Sequence, residues 1–163
     1  MKPILIFDFN LKSDLNNWKI VNDAVMGGQS QSKLYLNPDG FGTFEGSVSL
    51  ENNGGFCSVK YVCEPIHLTD AKQICIRLKG DGKQYQFRVK PHKTYSHSYV
   101  FPFPTTTDWQ TIEIPISELY PAFRGQKLDL PRYDGSYLEE IAFLIGNKQE
   151  EQFRLLIDSI EVK

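Results

Sequence analysis

Apolar and polar side chains alternate along most of this chain, and such alternation is typical of β-strands that bury one face. The clearest case is residues 74–79, where Ile74, Ile76 and Leu78 are separated by Cys, Arg and Lys side chains. Apolar residues at helical spacing are nearly absent. The pattern predicts ten strands, at residues 4–9, 32–36, 42–50, 56–63, 74–79, 84–89, 99–103, 110–116, 140–145 and 153–162.

A Gly80-Asp81-Gly82 segment joins two of these predicted strands, residues 74–79 and 84–89. Glycine tolerates the positive φ that tight turns require, so two alternating runs joined this way are typical of a β-hairpin. We therefore expect these two strands to pair with each other.

Ten short strands separated by turns, without helices to cover a parallel sheet, predict an all-β antiparallel fold. The expected architecture is a β-sandwich of the jelly-roll kind that forms one domain over residues 1–163. One helical turn is predicted, at residues 117–120, with Ser117 as its N-cap and Pro121 preventing its continuation.

Charge argues against a nucleic-acid partner. The formal net charge is -2, with 18 basic residues scattered among 20 acidic ones, whereas nucleic-acid binders gather their basic residues into a stripe. One basic cluster contains Arg88, Lys90, His92 and Lys93. We interpret it as a solvated strand face, with contact to a polyanion as the alternative.

Localisation follows from the first residues and from the cysteines. The apolar run at residues 4–7 is interrupted by Asp8, which is too early for a signal peptide, and it is far shorter than a membrane span. Cys57, Cys63 and Cys75 are odd in number, lie in predicted strands and lack metal-ligand spacing. A cytoplasmic protein with reduced, buried thiols is the simplest expectation.

Nothing in the sequence forms a specific catalytic or metal-binding pattern. The chain has three histidines, and neither a nucleotide fingerprint nor a calcium loop is present. We expect a protein that is not an enzyme, with no catalytic residue, no metal and no cofactor.

Function is expected in the long loops at residues 22–31, 90–97 and 122–135, because loops on a rigid β-scaffold carry most binding residues. Two glycine pairs lie beside polar side chains, Gly27-Gly28 in the first of these loops and Gly54-Gly55 in the turn at residues 52–55. The glycines could allow a positive φ and close backbone packing, or they could form a surface that binds a ligand. The sequence leaves both possibilities open.

The segment VNDAVMGGQS at residues 21–30 closely resembles the signature of the complex I intermediate-associated protein 30 family. The resemblance continues through FEG at residues 44–46, VSLENNGGF at residues 48–56 and GDGKQY at residues 80–85. Further matches are Trp109-Gln110 with Ile114-Pro115, Arg124-Gly125, and the apolar positions of the last two predicted strands. The resemblance covers nearly the whole chain in order, and without a leader the chain looks like a bacterial-type single-domain member.

The resemblance implies a galactose-binding-like β-sandwich and a chaperone-like role in assembling respiratory complex I. It implies that the chain holds a protein partner, with respiratory-complex subunits as candidates, rather than turning over a substrate. The binding residues expected from the motifs are Asn22, Asp23, Met26, Gly27, Gly28, Ser30, Asn52, Asn53, Gly54, Gly55 and Arg124.

Carbohydrate binding is the alternative function, because this fold is also used by sugar-binding modules and Tyr95, Tyr99 and Tyr133 could stack on sugar rings. A substitution of Asp23 distinguishes a partner-binding role of the motif from a structural one. If Asp23 contacts a partner, Asp23→Ala will leave folding intact, and a loss of stability will instead indicate a structural role.

Overall fold

The alternating segments form β-strands, and these strands make up most of the fold. The computed structural model describes residues 2–163, with the side chains of Val25, Met26 and Asn53 left outside the description. The strands are β1 (Ile4–Asp8), β2 (Trp18–Ile20), β3 (Gln31–Leu36), β4 (Gly42–Val48), β5 (Cys57–His67), β6 (Gln73–Lys79), β7 (Gln84–Lys90), β8 (Ser98–Pro104), β9 (Trp109–Pro115), β10 (Tyr120–Phe123), β11 (Gln126–Lys127), β12 (Tyr137–Ile145) and β13 (Glu151–Val162). Short 3-10 helices lie at Asp23–Met26, Glu51–Asn53 and Ile116–Glu118.

The strands form two sheets that face each other. The six-stranded sheet has the order β3-β4-β13-β6-β9, and β1 also pairs with β13. The seven-stranded sheet has the order β11-β10-β8-β7-β12-β5-β2. Each described strand pair is antiparallel. The predicted antiparallel jelly-roll sandwich is confirmed.

The core lies between the two sheets and is built from the inward side chains of both. Tyr85 and Phe87 from β7 are fully buried, as is Phe44 from β4. Tyr85 and Phe153 come from opposite sheets, and their ring centroids are 6.3 Å apart. Burial of each such side chain contributes roughly 1.5 to 3 kcal/mol, so this layer supplies most of the stability.

The predicted hairpin between β6 and β7 is wrong. β6 pairs with β13 and β9, whereas β7 pairs with β12 and β8, so the Gly80–Lys83 connection crosses from one sheet to the other. Thr105 packs against Gly80 so closely that a Cβ at Gly80 would lie 2.2 Å from the Thr105 Cβ. Alternation identified the buried face of each strand correctly, but strands that pair and strands that face each other across a core show the same pattern.

The other differences concern short elements. β2, β10 and β11 have two to four residues each, too few for an alternating pattern to be recognised. The predicted helical turn is a 3-10 helix that begins one residue earlier. Its N-cap is Pro115 and it has no side-chain cap, so the prediction of Ser117 as the capping residue is wrong.

Candidate functional site

Two loops, whose sequences resemble the family signature, pack against each other at one end of the sandwich. We call residues 22–30 and 49–56 together the double loop. The Asp23 backbone N–H donates to the Phe56 carbonyl oxygen at 3.2 Å, and the Val21 N–H donates to the Ser58 carbonyl oxygen at 2.9 Å. These bonds continue the pairing of β2 with β5 into the loops.

The Asp23 side chain joins the two loops from within. Its Oδ1 accepts a hydrogen bond from the Ser30 backbone N–H at 3.0 Å. Its Oδ2 accepts from the Ser30 hydroxyl at 2.5 Å, from the Gly55 N–H at 2.6 Å and from the Phe56 N–H at 3.3 Å. Asp23 has no exposed surface. A buried carboxylate is stable only when such donors surround it, and here they come from both loops.

These hydrogen bonds also set the ionisation of Asp23. Burial acts to raise the pKa of the carboxyl, but the Ser30 hydroxyl and the backbone N–H groups of Gly55, Ser30 and Phe56 favour the charged form. The net effect is a pKa below its usual value. Asp23 is therefore an anion at neutral pH and holds the loops by charge-assisted hydrogen bonds.

One glycine from each loop is required by the position of this carboxylate. A Cβ at Gly28 would lie 2.4 Å from Asp23 Cγ, and a Cβ at Gly54 would lie 2.5 Å from Asp23 Oδ2. Both distances are shorter than non-bonded atoms allow. Gly27 has a φ of 88°, in the left-handed region that favours glycine. Close packing and backbone conformation thus account for these glycines.

Polar side chains extend the same network. The Ser30 hydroxyl accepts a hydrogen bond from the Ser49 N–H at 2.8 Å, which connects the start of β3 to the residue after β4. The Ser32 hydroxyl donates to Asn22 Oδ1 at 2.7 Å. The two serines and Asn22 therefore stabilise the conformation of the double loop.

The outward surface of the double loop is small and mixed in character. Among the residues of the double loop whose side chains the structure describes, the exposed ones are Ala24, Gly27, Gln29, Leu50, Glu51 and Asn52. Leu50 has 41% of its surface exposed although it is apolar. The strand predicted from the sequence extends to residue 50, but β4 ends at Val48 and the chain turns into the Glu51–Asn53 helix. The sequence pattern therefore did not indicate that Leu50 is exposed.

Most of the predicted binding residues are brought together here, although several point inward. Asn22, Asp23, Gly27, Gly28, Ser30, Asn52, Gly54 and Gly55 all belong to the double loop. The Met26 and Asn53 side chains lie outside the described residues. Arg124 is elsewhere: β10 pairs Ala122 with Ser98, which places Arg124 towards the opposite end of the sandwich. Partner binding by this set stays a prediction.

The tyrosines considered for sugar stacking are also at the opposite end, and they pack on one another and on His97. The rings of Tyr99 and Tyr133 are 5.5 Å apart, and those of Tyr95 and His97 are 5.0 Å apart. Tyr133 is buried and donates its hydroxyl to the Tyr137 carbonyl oxygen at 2.6 Å. Of the three tyrosines, Tyr95 alone is exposed, at 38%. Tyr133 therefore offers no ring surface to a sugar, whereas Tyr95 and, in part, Tyr99 keep accessible surface.

The cysteines lie in strands, as predicted. Burial raises the pKa of Cys57 and of Cys63 to about 11, so both thiols stay protonated at neutral pH. Among residues 2–163, no group of three His, Cys, Asp or Glu side chains is arranged to hold a metal ion. No helix within the described range has the length and apolar character needed to span a membrane.

The fold belongs to a class of β-sandwiches that includes carbohydrate-binding modules. A family 11 carbohydrate-binding module from a Clostridium thermocellum cellulase superposes with a TM-score of 0.68 at 16% identity, over 99% of this chain and 94% of that one. At this identity the likeness establishes the fold alone, and it confirms the expected galactose-binding-like sandwich.

The chain belongs to the complex I intermediate-associated protein 30 (CIA30) family, whose sequence model matches residues 7–157. An uncharacterised protein of Schizosaccharomyces pombe is 28% identical over 88% of this chain and 76% of its own length. The mitochondrial complex I intermediate-associated protein 30 of Mus musculus is 22% identical over 97% of this chain. The chain spans 55% of that mouse protein, and it spans 50% of the Drosophila melanogaster protein of the same name.

We expect Asp23→Asn to destabilise the protein by about 2 to 4 kcal/mol, because an amide NH₂ at either oxygen position would face N–H or O–H donors. Urea denaturation of the wild type and the variant measures this difference. Asp39→Asn is the matched control, since Asp39 is exposed, and it should change stability by less than about 0.5 kcal/mol. Equal stability of both variants would contradict a structural role for Asp23.

Acid should remove the contribution of Asp23. Because its folded pKa lies below the ordinary value of 3.8, the ionised carboxylate stabilises the fold above about pH 4, and this stabilisation is lost as the pH falls through the folded pKa. The difference in unfolding free energy between wild type and Asp23→Asn should be constant from about pH 7 to pH 5 and shrink below about pH 4. A difference that stays constant down to about pH 2 would show that ionisation of Asp23 is irrelevant.

Proposed function

We propose that this chain is a non-catalytic binding module that holds a protein partner on the exposed surface of the double loop. The observation that carries the proposal is the exposed apolar Leu50, presented beside Glu51 and Asn52 on a loop pair fixed by a buried carboxylate. Leu50 differs from the other exposed apolar residues of this chain, such as Leu11, because it lies on a loop pair that a buried carboxylate holds in place and that matches the family signature.

Family membership supports a protein as the partner. The mouse and fruit-fly relatives are named for their association with an intermediate of complex I, and respiratory-complex subunits are therefore the first candidates. This chain spans about half the length of those proteins, so their partners are carried over only as part of the proposal. Both names also include the word mitochondrial, and the cytoplasmic location expected for this chain stays a prediction.

The geometry of the double loop favours binding without large rearrangement. Asp23 and Ser30 fix the backbone of residues 28–30 and 54–56 before a partner arrives. Ordering of loops on binding costs free energy, and a loop that is already ordered avoids that cost. The inward residues of the motif thus support the outward ones, which make the contacts.

Leu50→Arg should weaken partner capture about ten-fold or more without changing the melting temperature, because loss of an apolar contact residue typically costs 1 to 2 kcal/mol and Arg adds a charge to desolvate. The matched control is Leu11→Arg. Leu11 is 67% exposed. It contacts Gly40, and Gly40 belongs to the turn between β3 and β4 at the end of the sandwich opposite the double loop. Each variant would be immobilised, exposed to lysate of the source organism, and its retained proteins quantified by mass spectrometry.

A respiratory-complex subunit retained by the wild type and by Leu11→Arg, but lost by Leu50→Arg, would support both the partner class and the site. Equal retention by all three proteins would place the contact elsewhere. Retention of no protein, together with saturable binding of a soluble glucan, would favour carbohydrate binding instead.

A further inference from the structure

The outer face of the seven-stranded sheet carries a row of polar and basic side chains. In β7, the buried core residues Tyr85, Phe87 and Val89 alternate with Gln86, Arg88 and Lys90, so these polar residues lie on the outer face. Strand registers place six residues in one row across this face: Lys19, Lys60, Ala142, Arg88, Val100 and Tyr120. We call this face, with Lys90, Glu140 and Lys127, the basic face.

Positive charge is in excess on the basic face. It carries five basic side chains, Lys19, Lys60, Arg88, Lys90 and Lys127, and one acidic side chain, Glu140. Lys60 lies 3.7 Å from Glu140. Among the described residues, the other four basic side chains form no salt bridge. The outer face of the six-stranded sheet differs, since Lys33 and Arg154 both pair with Glu45 there.

Arg88 occupies the centre of the basic face, because β7 is the fourth of seven strands. Its Nε and Nη2 donate hydrogen bonds to Gln86 Oε1 at 3.2 Å and 2.8 Å, so its recorded partner is a neutral amide. The side chain is half-buried, and burial lowers the pKa of the guanidinium. A partly desolvated cation without a carboxylate partner is unfavourable on its own, and an anion would stabilise it.

We propose that the basic face binds an acidic segment of a partner protein, with a carboxylate of that segment on Arg88 and others near Lys60 and Lys90. A guanidinium accepts a carboxylate through two parallel N–H bonds, which a simple point charge cannot provide. Strands are about 4.8 Å apart, so Lys60 and Arg88 lie about 10 Å apart and can meet different side chains of one extended peptide.

The aromatic content of the basic face favours a peptide over a sugar. Sugar sites use exposed flat rings. The aromatic residue in the row is Tyr120, and the Lys127 ammonium group lies over its ring, 4.6 Å from the centroid, where a sugar would stack. The site lies on a sheet face rather than at the double loop. It is therefore a second contact, separate from the one in the proposed function, and its expected ligand is an acidic peptide.

The test uses a fluorescently labelled octa-glutamate peptide, titrated with the protein at low salt and followed by fluorescence anisotropy. Arg88→Gln should weaken binding about ten- to hundred-fold, the range expected for loss of a bidentate charge-assisted pair. Its matched control is Arg77→Gln, on the outer face of the six-stranded sheet, where Arg77 Nε lies 3.1 Å from Asp158 Oδ2. Both variants lose one charge, so the pair separates position from net charge. The control should change the affinity less than about two-fold, because Arg77 lies on the other sheet.

A second pair keeps the test valid if Arg88→Gln does not fold. Lys60→Gln should weaken binding about three- to ten-fold, and Lys33→Gln should not, although each lysine lies near one glutamate at 3.7 Å and 3.6 Å. Leu50→Arg should keep full affinity for the peptide, so failure of the double-loop proposal and failure of this one are distinguishable.

Three outcomes would overturn the proposal. The first is the absence of saturable peptide binding by the wild type. The second is an equal effect of Arg88→Gln and Arg77→Gln, which would indicate attraction by overall charge. The third is tighter, Arg88-dependent binding of an oligogalacturonate, which would make the basic face a site for acidic sugars.

Discussion

The double loop depends on one buried charge. The Asp23 carboxylate has no contact with solvent, and it accepts hydrogen bonds from Ser30 and from the backbone of Gly55 and Phe56. Because an isolated carboxylate inside a protein is strongly unfavourable, the sequence around it must supply donors and space together. Ser30 and the backbone N–H groups of Gly55 and Phe56 supply the donors, and Gly28 and Gly54 supply the space. The resulting loop pair presents Leu50 to solvent.

Much of the fold could be predicted from the sequence because alternation reports directly on burial. All ten predicted strands exist, with bounds that differ by up to four residues. Strand pairing could not be predicted in the same way. The inward faces of β6 and β7 look alike whether the strands are neighbours or lie on opposite sides of the core. The observed pairing of β6 with β13 and β9, and of β7 with β12 and β8, shows the crossing.

The candidate site was found by sequence reasoning, but the roles of its residues were not. The motif placed Asp23, Gly28 and Gly54 in loops, but it did not show which residues these loops contact. The structure shows that both glycines make room for the Asp23 carboxylate where the two loops pack together. The exposure of Leu50 was not predicted because the expected strand extended to residue 50, whereas β4 ends two residues earlier. Arg88 was part of a recognised basic cluster, but its lack of a carboxylate partner depends on neighbouring strands that the sequence does not reveal.

Two surfaces of different chemistry follow from this architecture. The double loop offers a small apolar contact at one end of the sandwich, and the basic face offers positive charge across the seven-stranded sheet. The protonated thiols of Cys57, which is buried, and Cys63, which is half-buried, contribute to packing rather than to reactivity. A module that holds one protein by two separate contacts would gain affinity from each, and it would gain specificity from requiring both.

Amide hydrogen exchange tests most directly whether the Asp23 carboxylate holds the double loop. The N–H groups of Ser30, Gly55 and Phe56 donate to Asp23, so they should exchange slowly in the wild type and at least about a hundred-fold faster in Asp23→Asn under conditions where the β7 and β12 amides keep their protection. That result would show that the charge locks the loops independently of the core. Slow exchange at these three amides in both proteins would contradict the account, because the loops would then be held by something other than Asp23.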